Sequence, residues 1–174
     1  MKELYIILTL FIATNSFSQT NRKVSTFLSF QVNSTVHDRT QTNNSGGAGF
    51  GLQTFLNTTT RFKPTVEVNA NLFAGTKEMY LTADERPIYA KSSVASVYIG
   101  SSFHLTDRLF IATTFGPTFY NAATYFGIRP SIGFYPSQSK KWIAGASFTN
   151  VYQRDDISNE TFGYLSFALA LKLF

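Results

Sequence analysis

The sequence predicts an all-β fold, an eight-stranded antiparallel up-and-down transmembrane β-barrel, and three observations predict it. Apolar and polar residues alternate in eight successive runs, each long enough to cross a bilayer as a tilted strand of roughly 9–11 residues. The connections between the runs alternate in length. The composition removes the competing classes: of 174 residues 44% are hydrophobic, 16% aromatic and only 14% charged, against roughly 25% charged in an ordinary soluble domain. Such a chain is not disordered, not a coiled coil and not built like a typical cytosolic enzyme. Nothing in it reads as a helix or as a linker between domains.

The first run, Lys23 to Val32, places Val24, Thr26, Leu28, Phe30 and Val32 on one face and Ser25, Phe27, Ser29 and Gln31 on the other. The second, Gly46 to Leu56, sets Ala48, Phe50, Leu52 and Leu56 against Gly47, Gly49, Gly51 and Gln53. In the third, Phe62 to Ala74, Phe62, Val66, Val68, Ala70 and Leu72 oppose Lys63, Thr65, Glu67, Asn69 and Asn71. The fourth, Ser93 to Leu105, has Ala95, Val97, Ile99, Phe103 and Leu105 on its apolar face and Ser96, Tyr98, Gly100, Ser102 and His104 opposite. The fifth, Leu109 to Phe119, sets Leu109, Ile111, Phe115 and Phe119 against Ala112, Thr114, Gly116 and Thr118. The sixth, Tyr125 to Tyr135, sets Phe126, Ile128, Ile132 and Phe134 against Gly127, Arg129, Ser131 and Gly133. The seventh, Trp142 to Tyr152, has Trp142, Ala144, Ala146, Phe148 and Tyr152 as its apolar face. The eighth, Thr161 to Phe174, aligns Leu165, Phe167, Leu169, Leu171 and Leu173.

Long connections at Asn33–Ser45, Gly75–Ser92 and Gln153–Glu160 alternate with shorter ones at Asn57–Arg61, Thr106–Arg108 and Pro136–Lys141. Tyr120–Thr124 is the exception, a short connection where a long one is expected. Membrane barrels are built with short turns at one end and longer loops at the other. Residues 1–18 read as a signal peptide: Lys2 supplies the basic start, Leu4 to Ala13 the apolar run, and Ser16-Phe17-Ser18 the small residues before a cut at Gln19. Residues 19–174 then form the barrel domain. No cysteine is present, which excludes a disulfide scaffold, a thiolate metal site and a lipid-anchored cysteine. The formal charge of +5 sits mostly at segment ends, where Lys and Arg meet lipid phosphates or a polyanionic glycolipid rather than nucleic acid.

Alternation alone leaves open which face is outside, since a soluble lipocalin-like carrier keeps its apolar face inward. Residue volume decides between them. An eight-stranded lumen is just wide enough for side chains to fill it, and the polar faces are the ones rich in Gly and Ser, while the apolar faces carry Phe, Leu and Ile. Phe62, Phe103, Phe119, Tyr120, Phe134, Tyr135, Trp142, Tyr152 and Phe162 fall near strand ends, as aromatic girdles at the two interfaces require.

These features, together with the final strand Tyr164-Leu-Ser-Phe-Ala-Leu-Ala-Leu-Lys-Leu-Phe174, resemble the small eight-stranded outer-membrane β-barrel family, the OmpA/OmpX type. The resemblance spans essentially the whole mature chain. It implies an outer-membrane location, contact with outer-membrane lipid and lipopolysaccharide, and insertion by the outer-membrane assembly machinery, for which Phe174 is the terminal assembly signal. Phe174 shares its strand face with Lys172, Ala170 and Ser166. The resemblance implies no catalytic residue and no cofactor. The expected role is structural or surface-interacting, through the outer loops Asn33–Ser45 and Gly75–Ser92 and an extracellular or envelope protein partner. Phe73, Met79, Tyr80, Leu81 and Tyr89 make the second loop apolar enough for a β-ribbon or a docking surface.

Chemistry-bearing residues are few. Lys63, Glu67 and Arg129 lie within strands on the lumen face, where charge is costly unless paired; they read as a structural cluster shutting the lumen, with a narrow pore gated by Glu67 and Arg129 as the alternative. His37 and His104 are too far apart and too few for a metal site, and no Asp-x-Asp-x-Asp-Gly run offers a calcium loop. Some small outer-membrane barrels modify lipid A with a Ser and a His two apart on one strand plus an acid. Ser101, Ser102, His104 and Asp107 supply the nearest such spacing, at the short-turn end and not at the outer leaflet where that chemistry acts. The glycines from Gly46 to Gly51 lack the helix start and Lys-Ser/Thr ending of a phosphate loop and read as clearance on the lumen face.

Overall fold

The computed structural model describes residues 23–36, 45–74, 80–81, 87–88, 92–120, 123–152 and 162–174. Eight long strands carry the alternating runs: β1 (Val24–Thr35), β2 (Gly46–Leu56), β3 (Phe62–Ala74), β6 (Ser92–His104), β7 (Leu109–Tyr120), β8 (Ala123–Phe134), β9 (Trp142–Tyr152) and β10 (Phe162–Lys172). Two short pieces, β4 (Tyr80–Leu81) and β5 (Pro87–Ile88), pair with each other as a ribbon within the β3–β6 connection. The long strands close a barrel in the order β1-β10-β9-β8-β7-β6-β3-β2, every pair antiparallel. β1 and β10 close it, with Phe30 opposite Leu169 and Thr35 opposite Tyr164. The closure continues past β10, where Thr26 N–H donates to the Phe174 carbonyl at 3.1 Å and Leu173 N–H to the Thr26 carbonyl at 2.8 Å.

The pleat puts the large apolar residues outside. Phe30, Phe50, Leu72, Ile99, Phe115, Phe126 and Phe167 are all exposed, the last to 66%, while the alternate positions Ser29, Gln31, Glu67, Asn69, Asn71, Thr114 and Arg129 are buried. A protein that hides its polar side chains and displays an apolar belt is matched to lipid, the reverse of a soluble barrel. Adjacent strands share this polarity because a one-residue register slip would turn a whole strand inside out.

Local chemistry sets the turns. In the β6–β7 turn the Thr106 hydroxyl accepts from the N–H groups of Arg108 and Leu109 at 3.2 and 3.0 Å, and Thr106 N–H reaches the Leu109 carbonyl at 3.1 Å. The β8–β9 turn closes with Lys140 N–H on the Ser137 carbonyl at 3.2 Å, and Lys140 itself has φ 51°. The β2–β3, β6–β7 and β8–β9 turns lie at one end of the barrel and the longer connections at the other.

Three boundaries differ from the sequence expectation by two residues or more. β1 continues through Asn33 to Thr35, inside the expected first loop, because Asn33 and Thr35 keep the lumen parity of Gln31 and are buried. β7 reaches Tyr120 and β8 begins at Ala123, which face each other, so this hairpin is tighter than the expected Tyr120–Thr124 loop. β10 ends at Lys172 rather than at Phe174.

Candidate functional site

Glycines clear space for the lumen at its middle. A Cβ on Gly51 would lie 2.5 Å from both Asn69 Oδ1 and Gln31 Nε2, so only glycine lets those amides meet. Gln31 Nε2 donates to Asn69 Oδ1 at 2.7 Å and to Ser29 Oγ at 3.2 Å. One level toward the loops, Asn33 Nδ2 donates to Asn71 Oδ1 at 2.8 Å, and Asn71 Nδ2 to the Tyr164 hydroxyl at 3.4 Å.

Into this amide ladder β3 brings Glu67 and β8 brings Arg129, 3% and 5% exposed. Arg129 Nε lies 3.4 Å from Glu67 Oε2. Gln53 Nε2 donates to Glu67 Oε1 at 2.8 Å, and Arg129 Nη2 donates to Gln31 Oε1 at 3.0 Å. Each charge thus has a counter-charge and a neutral amide, the arrangement that makes buried ions tolerable. Beside them lies a cavity of about 50 Å³, bordered by Gln31, Gln53, Asn69, Ser131 and Ser147, the space of a few water molecules.

Aromatic layers close the lumen above and below. At the turn end Phe27, Phe55, Phe110 and Tyr135 pack with Ile143, with Phe55 and Phe110 at 5.3 Å edge to face and His104 stacked on Phe110 at 5.3 Å. Burial pushes the Tyr135 phenol up to about 12, so it stays neutral. At the loop end Phe73, Phe162 and Tyr164 pack with Val94 and Val151, joined by Tyr120 and Tyr125; Tyr120 stacks on Phe162 at 5.6 Å. Large apolar side chains on a polar face are the residues that alternation alone passes over, and Phe27, Phe55, Phe73 and Phe162 all have lumen parity. That parity was the available signal.

Several predicted residues fall elsewhere than expected. Lys63 does not join Glu67 and Arg129: it lies four residues, about 13 Å, nearer the turn end, where its carbonyl accepts from Ser102 Oγ and Thr65 Oγ1. Phe73 is not a loop contact but a lumen residue, 1% exposed. Phe162 and Tyr135, expected in the girdles, also point inward, whereas Phe62, Phe119, Phe134, Trp142 and Tyr152 are exposed. Ser101 faces outward, and Ser102 Oγ donates to the Lys63 carbonyl at 3.3 Å instead of to His104, whose Nε2 has no hydrogen-bond partner among the described residues. Asp107 is exposed in the turn. Among the described residues no three His, Asp or Glu side chains converge as metal ligands. His37, Met79, Tyr89, the signal segment and the acids of the long loops lie outside the described residues.

No family model and no curated protein matches this sequence. Solved structures do match the fold. The Yersinia pestis outer membrane protein Ail in a phospholipid bilayer nanodisc is similar over 86% of this chain and 99% of its own, at 13% identity and a TM-score of 0.57. A crystal structure of Ail, the attachment invasion locus protein of Yersinia pestis, is similar over 86% and 97% of the two chains at 12% identity and a TM-score of 0.55. A third, Ail in complex with the heparin analogue sucrose octasulfate, gives 11% identity, the same coverage and a TM-score of 0.53. The chain therefore has the fold of the small eight-stranded outer-membrane β-barrels.

Proposed function

We propose that this chain is an integral outer-membrane β-barrel, exported under a cleaved signal peptide of residues 1–18, that acts without catalysis as a surface-interaction protein through its extracellular loops. The observation that carries the reading is the polarity of the wall together with the filling of the lumen: the apolar belt suits lipid, and among the described residues two aromatic layers with an ion pair between them occupy the interior. What remains for recognition is the loop end. The Ser102 hydroxyl, committed to a backbone carbonyl, supports a non-enzymatic role. Phe174, whose carbonyl pairs with β1, is proposed as the signal read by the assembly machinery.

Ail is seen with a sulfated heparin analogue, but the long connections of this chain carry seven acids and five bases. That balance favours a protein or a cationic surface over a sulfated polysaccharide as the loop partner. The test runs on carbonate-washed envelope membranes and on intact cells. The protein stays in the pellet and shifts mobility in SDS on boiling, and replacing residues 76–90 by a short Gly-Ser turn keeps the shift but abolishes adhesion to protein-coated surfaces. A soluble, unshifted protein overturns the membrane reading. A pelleted protein whose adhesion survives the loop replacement overturns the surface role alone.

A further inference from the structure

The fold divides the charge of this chain between its two ends. β1, β3, β7 and β9 start, and β10 finishes, at the short-turn end. That end gathers Lys23, Arg61, Lys63, Arg108, the Lys140–Lys141 pair and Lys172 against one acid, Asp107, among the described residues. Glu67 and Arg129 cancel inside the lumen, and the long connections have more acids than bases. Among the described residues the positive balance of the chain therefore rests on one mouth of the barrel.

Part of that charge is concentrated in a single recess. A space of about 540 Å³ at the mouth is lined by Arg61, Lys63, Lys140 and His104, by the threonines of the β2–β3 turn, and by Asp107. Lys63 is half-buried there and feels the charges of both Lys140 and Lys172. Lys140 is held in place by a left-handed backbone, φ 51°, a conformation that costs any residue with a Cβ and that glycine would adopt freely. Its ammonium stands 5.7 Å over the Tyr135 ring. Like charges brought together in a half-buried recess repel one another, and local strain adds to that cost. The repulsion is offset if an anion occupies the recess.

We propose that the turn-end mouth binds the phosphate of an anionic phospholipid headgroup in the leaflet the turns face, a reading that rests on the membrane-spanning barrel proposed above. A free phosphate would need only the recess. A lipid leaflet also meets Lys23, Arg108 and Lys141 around the same rim, so the whole distribution of charge fits headgroups arranged in a ring. The Arg61 guanidinium and the Lys63 and Lys140 ammonium groups that line the recess supply the donors that a phosphate accepts from.

The experiment uses the full mature chain inserted into phosphatidylcholine vesicles containing about one-fifth phosphatidylglycerol, then extracted in mild zwitterionic detergent, with the retained lipid measured by mass spectrometry. The ratio of phosphatidylglycerol to phosphatidylcholine in the retained lipid rises about fivefold over the bulk ratio. In Lys63→Gln/Lys140→Gly the retained lipid returns toward bulk composition, while Lys91→Gln in the β3–β6 connection leaves the enrichment unchanged. Lys140→Gly relieves the left-handed strain, so the variant folds, which its heat-dependent mobility shift reports. Insertion with no enrichment, or equal enrichment in the double variant, overturns the proposal and leaves the membrane reading standing. Phosphorus NMR line broadening of inorganic phosphate without any lipid enrichment reassigns the recess to the free ion and overturns the lipid assignment. Failure to insert into any vesicle overturns both readings together.

Discussion

Substituting Glu67 tests the energetic core of the lumen. Its Oε2 is 3.4 Å from Arg129 Nε, and at an effective dielectric constant of about 20 that separation corresponds to about 5 kcal/mol of attraction. Desolvation of the two ions offsets much of it, so the pair as a whole contributes far less. Removing one partner is a different matter, because it leaves the other charged and buried, at a cost of about 3–5 kcal/mol. Glu67→Gln keeps the shape, and the new amide can still meet Gln53 and Arg129, which places it at the low end, about 3 kcal/mol. Arg129→Met leaves Glu67 with Gln53 alone and costs about 4 kcal/mol. The double variant removes both charges, so its loss falls short of the sum of the singles by about 2 kcal/mol or more. Urea unfolding of the inserted barrel reads this out through Trp142, the single tryptophan of the chain, on the outer face of β9. Single losses under about 1 kcal/mol, or singles that add to within about 0.5 kcal/mol, would refute the argument that the pair is an interdependent unit.

Three further outcomes follow from the same geometry. Phe50→Arg, in the middle of β2 and 61% exposed, destabilises the lipid-inserted barrel by about 2–4 kcal/mol; a change near zero in vesicle unfolding would mean that this face does not meet hydrocarbon. Gly133→Val drives a side chain into the Phe110 ring of the turn-end layer and costs about 1–3 kcal/mol by overpacking, measured against Gly46→Ala, whose added Cβ among the described residues meets only the Asn33 carbonyl at 3.6 Å. In planar bilayers Glu67→Gln conducts no more than the parent, because Phe55, Phe110 and Tyr135 still fill the turn end; single-channel steps appearing in the variant would instead make the ion pair a gate.

Much of the barrel was legible because β-strands have a period of two and the lumen of eight strands has little room. The alternation in β3 assigned Glu67, Asn69 and Asn71 to the inside and Val66, Val68 and Leu72 to the outside, and their burial follows that division. Glycines on the polar faces of β2 and β8 marked where side chains from elsewhere must pass. Parity also held the position of Phe55, Phe73 and Phe162, but hydrophobicity pulled the last two toward a loop or a girdle. An aromatic ring near a strand end is apolar enough for lipid and large enough for a plug, and composition does not distinguish these uses.

The sequence by itself determined the strands, their two faces and the sense of the wall, since those depend on residues adjacent along the chain. Only the tertiary structure decided partnership across the lumen, because it depends on strand stagger and barrel closure. Lys63, Glu67 and Arg129 look equivalent in a list of inward charges, yet the register brings Arg129 to Glu67 and Gln31 and leaves Lys63 about 13 Å nearer the turns. There Lys63 meets Arg61 and Lys140, two and 77 positions away in the chain. Charges spread along the sequence became one basic mouth because an up-and-down barrel returns every second connection to the same side.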